Sequence, residues 1–395
     1  MAPKSAKEKI VLADFKPSPT FLETVSTSSL NYRECALQEI MALIAHDPDN
    51  SLNSLDEYLA TALYYGATES EIQNVVYQSS FHMGSSKAIT TRTRVTASLQ
   101  SLMGPLHHAL DSTYVEKEVS VDDHTTVVKD SNPSSQSIPL VLIHALALDR
   151  RMWDAVFARL AAATATAGSS IRVIAYDMRG HGYAAHAPPA RSLTQLASDL
   201  HCILDALKIA RADVFGQSYG GAVAQSFALT YPGQTRSLGL ITTAGEAQPS
   251  WVTRATRAEE GQAVAPLLPE TLIRWFTPEA IARNQWGVRY ARSCVERMAL
   301  GDWADAWRCM AQLDSLQRLR KGEVKCPVLL VCGVQDASTG PKWMRRLREA
   351  CEAGGNTEVV YKEIDPGVHM MALEQGEALT EEILGFRQRV DQLGA

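Results

Sequence analysis

Ser218 lies in the segment Gly216–Gly220 (GQSYG), where it could act as a nucleophile. A serine hydroxyl attacks a carbonyl carbon only when a base removes its proton and hydrogen-bond donors stabilise the oxyanion. An apolar run (DVF) precedes the segment and a helical pattern follows it. Glycines suit this context because a sharp turn from strand to helix crowds any side chain near the serine. The sequence therefore predicts that Ser218 is presented at a strand-to-helix turn.

A base and an acid that fit this nucleophile follow later in the chain. His369 is the only histidine after His201, and it precedes the final helical segment. Asp336 follows an apolar run (PVLLVCG), and its carboxylate would fix the imidazole tautomer and stabilise the imidazolium ion. Asp365 competes for this role, but it lies four residues before the histidine in the same loop, which is a poor position. We predict the triad Ser218, Asp336 and His369.

An oxyanion hole requires two backbone N–H donors. The N–H of Tyr219, directly after the nucleophile, is the first predicted donor. The second is expected from the loop after the apolar run Pro139–Ile143, and Leu146 is the candidate. His144 in this loop is interpreted as structural, since the backbone supplies the donor. The segment Asp177–Gly182 (DMRGHG) follows another apolar run and is interpreted as shaping a loop.

Alternating strands and helices are predicted to position these residues. Two segments with alternating apolar and polar residues, 114–121 and 125–129, predict a hairpin. Short apolar runs then predict strands that are buried on both faces, with helices between them. The strands are 139–143, 171–176, 212–215, 237–242 and 327–332, and the helices are 192–208, 219–230 and 342–352. This alternation predicts an α/β fold with a doubly wound, mainly parallel sheet.

Residues of about 249–322 interrupt the alternation. They have helical spacing, many arginines and five of the seven tryptophans. We predict a helical lid inserted over the carboxyl edge of the sheet. The alternative is a helical layer that only packs against the sheet.

The part of the chain before Tyr114 shows no strand signal. Two capping boxes, which begin at Ser54 and Thr68, predict a hairpin of helices 54–65 and 69–80. The polar first residues, rich in Ser, Thr and Pro, predict a loosely held arm. The predicted organisation is an arm (1–28), an all-α domain (29–112) and an α/β domain (113–395).

From about 113 to 392 the chain resembles the 3-oxoadipate enol-lactone hydrolases of the α/β-hydrolase superfamily. The resemblance rests on Met152-Trp153, DMRGHG, GQSYGG, the lid stretches LIRWFTP and WRCMAQLD, and the late stretch VHMMALEQ. It implies the same triad and a lactone or ester substrate, with no metal or other cofactor. Ala145 departs from the usual Gly or Ser of the oxyanion loop and alters the pocket wall. If the substrate carries a carboxylate, Arg274 beside Trp275 is a candidate for binding it.

Residues 30–105 resemble carboxymuconolactone decarboxylase or alkylhydroperoxidase-D-like domains, through LATALYYGATESEIQNVV and the following FHMG. Peroxidase chemistry is excluded because Cys35 stands alone, without a CxxC partner. Tyr58 occupies the place where the decarboxylases typically have a histidine, and His82 could substitute for it. The resemblance also implies self-association through these helices. Two roles stay open, decarboxylation on the one hand and assembly of a homo-oligomer or support of the lid on the other, and we favour the second.

Composition and charge exclude several classes of function. The 46% hydrophobic and 21% charged residues are typical of a globular protein. A net charge of −6 without a basic run argues against nucleic acid as a partner. The seven cysteines include no CxxC pair, which disfavours a disulfide framework and a zinc site. Neither a signal peptide nor a transmembrane segment is predicted, so we expect a cytoplasmic protein with a small-molecule substrate.

The leading functional hypothesis is hydrolysis of an enol-lactone or a related lactone or ester through an acyl-serine. A close alternative uses the triad as a base for carbon–carbon hydrolysis, isomerisation or cyclisation in a biosynthetic pathway. A third hypothesis, from a different class, is a ligand-binding relative that has lost turnover. The complete triad disfavours this last one.

Overall fold

The computed structural model describes residues 18–26, 32–46, 54–64, 67, 69–80, 85–103, 114–163, 171–259 and 265–394. The chain divides into two compact units. The smaller unit comprises Met1–His108 with Ala282–Arg289, and the larger unit comprises Ala109–Ile281 with Tyr290–Ala395. Among the helices of these described stretches, none combines the length and the hydropathy of a membrane-spanning segment.

Helices make up the described part of the smaller unit before residue 104. They are α1 (Pro19–Ser26), α2 (Tyr32–His46), α3 (Leu55–Tyr64), α4 (Glu69–Ser80) and α5 (Ser85–Met103). Buried apolar side chains of these helices form one cluster, which includes Ile40, Leu59 and Ile72. Cys35 is buried in this cluster, and Tyr58 packs half-buried against it. His82 lies outside the described residues, and both roles considered for residues 30–105 stay predictions.

Helix α1 lies in the segment where the sequence predicts a loosely held arm. Its start is capped, because the Phe21 N–H donates to Ser18 Oγ at 3.2 Å. The side chain of Phe21 is buried. A loosely held arm would leave this apolar side chain exposed to water, so α1 is held in place by apolar burial. The predicted hairpin helices correspond to α3 and α4, and α3 begins directly after Ser54.

An eight-stranded, mainly parallel sheet forms the centre of the larger unit, which confirms the predicted α/β class. The strands are β1 (Val115–Val121), β2 (His124–Asp130), β3 (Leu140–Ile143), β4 (Val173–Tyr176), β5 (Ala212–Gln217), β6 (Thr235–Ile241), β7 (Val328–Gly333) and β8 (Val359–Ile364). Their order is β1-β2-β4-β3-β5-β6-β7-β8, and only β1–β2 and β2–β4 pair antiparallel. Every residue of β3 to β7 is buried.

The described helices that come after β2 follow the strands as predicted, and half of them lie between β6 and β7. In chain order they are α6 (Asp154–Ala162), α7 (Leu193–Ala206), α8 (Tyr219–Thr230), α9 (Pro249–Glu259), α10 (Leu268–Trp275), α11 (Pro278–Ala282), α12 (Trp286–Arg297), α13 (Leu300–Met310), α14 (Leu316–Arg320), α15 (Pro341–Ala353), α16 (Met371–Glu374) and α17 (Gly376–Gln392). Short 3₁₀ turns occupy Arg150–Trp153, Gly182–His186, Pro232–Gln234 and Ala265–Leu267. Helices α9 to α14, hereafter the lid helices, correspond to the predicted lid segment.

Candidate active site

Ser218 occupies the tight turn between β5 and α8. Its backbone has φ 55° and ψ −113°, a conformation that costs free energy for a residue other than glycine. A Cβ atom at position 216 would lie 2.1 Å from the carbonyl oxygen of Gly220. A Cβ atom at position 220 would lie 2.2 Å from the carbonyl oxygen of Ile143. Backbone atoms cannot move aside as flexible side chains do, so both positions require glycine and the turn stays tight around the serine.

The structure brings Ser218, His369 and Asp336 into one hydrogen-bonded line. The distance from Ser218 Oγ to His369 Nε2 is 2.9 Å, and the distance from His369 Nδ1 to Asp336 Oδ2 is 3.0 Å. The imidazole is 4% exposed and the carboxylate is fully buried. Asp365, the competing acid, is exposed in the turn before the histidine. The geometry thus joins the three residues that the sequence singled out.

Electrostatics assign the proton positions in this line. Burial favours the neutral Asp336 carboxyl group and would raise its pKa, but the adjacent His369 and two backbone N–H groups lower that pKa below its usual value. Those N–H groups belong to Ser338 and Thr339, and both donate to Oδ1, at 2.7 and 3.2 Å. An ionised carboxylate accepts from Nδ1–H, which leaves Nε2 as the acceptor for the serine hydroxyl.

His144 holds the loop that carries the predicted second oxyanion donor. Burial lowers its pKa to about 4, so the ring is neutral at physiological pH. Its Nε2 accepts from the Met178 N–H at 2.9 Å, so Nδ1 carries the proton and donates to the Ala145 carbonyl at 2.8 Å. The C=O and N–H of a trans peptide point in opposite directions. Holding the Ala145 carbonyl therefore directs the Leu146 N–H to the other side of that peptide.

Gln217 is a positioning residue that was not selected from the sequence. Its fully buried side chain donates from Nε2 to the His369 carbonyl at 2.7 Å. Its Oε1 accepts from the Ala372 N–H at 3.3 Å. The hydroxyl of Thr242 also donates to the His369 carbonyl, at 2.9 Å. The residue before the nucleophile thus fixes the loop that carries the base.

The segment Asp177–Gly182 supports the site through ion pairs, in line with its interpretation as a loop-shaping element. The buried Arg179 guanidinium binds Asp199 at 2.9 Å and Asp123 at 2.7 Å. Asp177 accepts from the Arg150 N–H at 2.8 Å. These contacts tie the segment to α7 and to the turn between β1 and β2.

Comparison with known proteins agrees with this architecture. Residues 138–375 match the family model described as the alpha/beta hydrolase fold. The chain belongs to the α/β-hydrolase fold family. That match lies outside residues 30–105, so it gives no support to a decarboxylase-like domain there.

Several relatives of this α/β-hydrolase are enol-lactonases. It is 31% identical over 170 residues to 3-oxoadipate enol-lactonase 2 of Acinetobacter baylyi, covering 42% of this chain and 62% of that protein. It is 29% identical over 203 residues to 3-oxoadipate enol-lactonase 1 of the same organism, covering 51% of this chain and 72% of that one. The chain thus spans less than two thirds of the first relative. The enol-lactonase structure from Burkholderia xenovorans covers 69% of this chain and 99% of its own, with 25% identity and a TM-score of 0.60.

A cavity of about 140 Å³ opens onto the Ser218–His369 pair of this α/β-hydrolase. Leu146 and Tyr219, the predicted oxyanion donors, line it. The remaining wall includes side chains of the lid helices, among them Trp251, Arg254, Arg274, Trp275, Trp307 and Met310. Both predicted substrate contacts, Arg274 and Trp275, are therefore at the cavity, whereas Arg254 was not selected from the sequence. A larger cavity of about 380 Å³ includes none of the triad residues.

Proposed function

We propose that this α/β-hydrolase is a serine hydrolase that opens an enol-lactone or a related lactone or ester. The observation that carries the proposal is the hydrogen-bonded line from Ser218 through His369 to Asp336. The Ser218 end of this line faces a cavity that side chains of the lid helices also line. The names of the enol-lactonase relatives support a lactone over other acyl substrates.

The proposed reaction proceeds in two steps. Ser218 Oγ attacks the carbonyl carbon while His369 Nε2 takes its proton, and the N–H groups of Leu146 and Tyr219 bind the oxyanion. Collapse of the tetrahedral intermediate breaks the ring C–O bond, and the imidazolium returns the proton to the leaving oxygen. In a lactone that oxygen stays attached to the acyl chain. Water then attacks the acyl-serine with His369 as base, which releases a carboxylic acid and restores the serine.

The cavity favours a short substrate. At about 140 Å³ it is smaller than the typical 300 Å³ or more of a site for a drug-sized ligand. Trp275 and Trp307 supply apolar wall, and we propose Arg274 and Trp275 as substrate contacts. A long acyl chain would require the lid helices to move apart.

Replacing Ser218 with alanine tests the proposal. We expect kcat for an enol-lactone or a 4-nitrophenyl ester to fall by about 10⁴-fold or more, since the nucleophile is lost. A fluorophosphonate should label Ser218 in the wild-type protein, and a brief reaction with ester should leave an acyl group on the same peptide in mass spectrometry. Ser134→Ala, which changes an exposed serine in the loop after β2, is the matched control.

Substantial turnover by the Ser218→Ala protein would contradict covalent catalysis. Turnover that requires Ser218 without a trapped acyl group would favour the alternative, in which the triad acts as a base for carbon–carbon cleavage, isomerisation or cyclisation. Absence of both labelling and turnover would favour the ligand-binding alternative.

A further inference from the structure

Glu374, the last residue of α16, contacts the end of the lid helix α10. Its carboxylate accepts from the Thr277 N–H at 3.0 Å and from the Thr277 hydroxyl at 2.7 Å. The same Thr277 oxygen accepts from the Ala280 N–H at 3.1 Å and so caps the start of α11. Both oxygens of one carboxylate therefore bind the junction between α10 and α11.

The segment that carries Glu374 also carries His369, and it contacts α10 a second time through its backbone. The Met370 N–H donates to the Trp275 carbonyl at 3.1 Å. In the same segment, the His369 carbonyl accepts from the side chain of Gln217 at 2.7 Å. Residues 369–374 therefore contact both the turn that carries the nucleophile and the end of a lid helix.

Helix α10 depends on such contacts for its position. It has only 8 residues, and a helix of this length is marginal in water without tertiary contacts. Leu272 and Trp275 are buried, whereas Ile273 is 70% exposed, so one side of the helix faces solvent. Trp275 and Arg274 also line the active-site cavity. A shift of the end of α10 would therefore move part of the cavity wall.

The half-buried position of Glu374 has an electrostatic cost that Thr277 offsets in part. Burial raises the pKa of the Glu374 carboxyl group, the two hydrogen bonds from Thr277 lower it, and Glu279 raises it again, with a net rise. A charged group in this position needs its donors, because burial without hydrogen bonds is costly. A neutral amide of the same size avoids that cost. Its oxygen can accept from the Thr277 N–H while its NH₂ group donates to the Thr277 hydroxyl oxygen.

We propose that Glu374 is a specificity-determining residue, which holds α10 against the segment of His369 and so limits the length of the acyl chain that the Ser218 cavity accepts. This inference rests on the proposed function of Ser218. A long chain requires the end of α10 to move away, so it binds only to the fraction of molecules in which this has occurred. A short acyl group fits with α10 in place. The Glu374–Thr277 contact thus lowers kcat/KM for long esters and leaves kcat/KM for short esters nearly unchanged.

Kinetics with two neutral esters test the proposal. The measured quantity is the ratio of kcat/KM for 4-nitrophenyl octanoate to kcat/KM for 4-nitrophenyl butyrate. Glu374→Ala should raise this ratio by about 10- to 100-fold, the factor that hydrogen bonds to a charged group contribute to an equilibrium. Glu374→Gln, which can still bind Thr277, should keep the ratio within about threefold of the wild-type value.

Glu381→Ala is the matched control, because it removes an exposed carboxylate from the neighbouring helix α17. An unchanged ratio in Glu374→Ala, or an equal rise in Glu381→Ala, would overturn the proposal. Glu374→Asp keeps the test decisive if Glu374→Ala is too unstable to purify. Its shorter side chain cannot reach both Thr277 donors, so the ratio should rise here too, and an unchanged ratio would count against the proposal in the same way.

Hydrogen exchange measures the contact without turnover. In the full-length Ser218→Ala protein, the amide groups of α10 should exchange about tenfold faster or more when Glu374→Ala is added, because the end of the helix is released. Unchanged exchange in α10 would overturn the proposal. Failure of Ser218 to react with fluorophosphonate would refute the hydrolase mechanism, while exchange would still decide whether Glu374 holds α10.

Discussion

Replacing Asp336 with asparagine tests how the hydrogen-bonded line at Ser218 works. The substitution keeps the size and shape of the side chain but replaces one carboxylate oxygen with an NH₂ group. The N–H groups of Ser338 and Thr339 both point at Oδ1, so the amide oxygen must take that place. The NH₂ group then faces His369 Nδ1, where Oδ2 accepts a hydrogen bond at 3.0 Å in the native protein.

This orientation places the imidazole proton on the wrong nitrogen. A donor facing Nδ1 makes that nitrogen an acceptor, so the neutral ring carries its proton on Nε2 and can no longer accept from the Ser218 hydroxyl. Exchange of the carboxylate for an amide in a serine protease triad lowers kcat by about 10⁴-fold through this change of tautomer. We expect a loss of about 10³- to 10⁴-fold here, with little change in KM. In the alternative amide orientation, the NH₂ group would face the N–H groups of Ser338 and Thr339. Donors would then meet donors without an acceptor, so this orientation is disfavoured.

The assay compares kcat of the wild-type protein, Asp336→Asn and Asp365→Asn on one 4-nitrophenyl ester between pH 6 and 9. Asp365→Asn is the matched control, because this aspartate lies exposed in the loop of His369. The reasoning on the tautomer also predicts slow labelling of the Asp336→Asn protein by fluorophosphonate, since Ser218 lacks its base. Retention of more than about a tenth of the activity by Asp336→Asn would refute the reasoning. An equal loss in the Asp365→Asn protein would refute the choice of acid.

Two further predictions concern a histidine of the oxyanion loop and a half-buried acid. His144→Ala removes the donor to the Ala145 carbonyl and should lower kcat by about 10²- to 10³-fold, the cost of one oxyanion donor. In His144→Asn the NH₂ group can replace Nδ1–H, so kcat should stay within about tenfold of the wild-type value. Steady-state kinetics, with thermal denaturation to check folding, decide this; equal losses in both variants would contradict it. Burial, with Asp305 nearby, raises the pKa of Asp302 to about 6, so the folded state disfavours its ionised form and loses stability as pH rises from about 4 to about 6. Asp302→Asn should therefore raise Tm above pH 6 and leave it unchanged near pH 4 by scanning calorimetry, and a uniform shift at both pH values would refute the linkage.

The strands that the sequence predicts well are those buried on both faces. The apolar runs of β3, β4 and β7 are too short for a typical helix, and this shortness favours strands. Strand β8 was missed. It pairs only with β7 at the edge of the sheet, and its residues are exposed or half-buried, so VVYKEI carries no continuous apolar signal. An edge strand is defined by its neighbour more than by its own hydrophobicity.

The residues of the candidate site also differ in whether the sequence alone can reveal them. Ser218 and His369 could be selected because their types are rare in the required places, and Asp336 because it follows a clear strand. His144 was interpreted as structural, but its hydrogen-bond partner and the role of Gln217 could not be predicted. Each depends on which backbone carbonyl a loop presents to the side chain. Arg254 was missed because its relation to Arg274 depends on how α9 and α10 lie over the cavity.

We propose that separate parts of the larger unit carry the reaction and the substrate preference. Ser218, Asp336 and His369 follow β5, β7 and β8, so the hydrogen bonds of the sheet fix their spacing. Arg254 and Arg274 come from lid helices, whose positions the sheet does not fix. Loss of Asp336 should therefore lower activity on anionic and neutral esters by the same factor, whereas loss of Arg274 should change the ratio between the two activities. If both substitutions changed the ratio, Arg274 and the triad would act as one unit, and a separate role of Arg274 in substrate preference would be refuted.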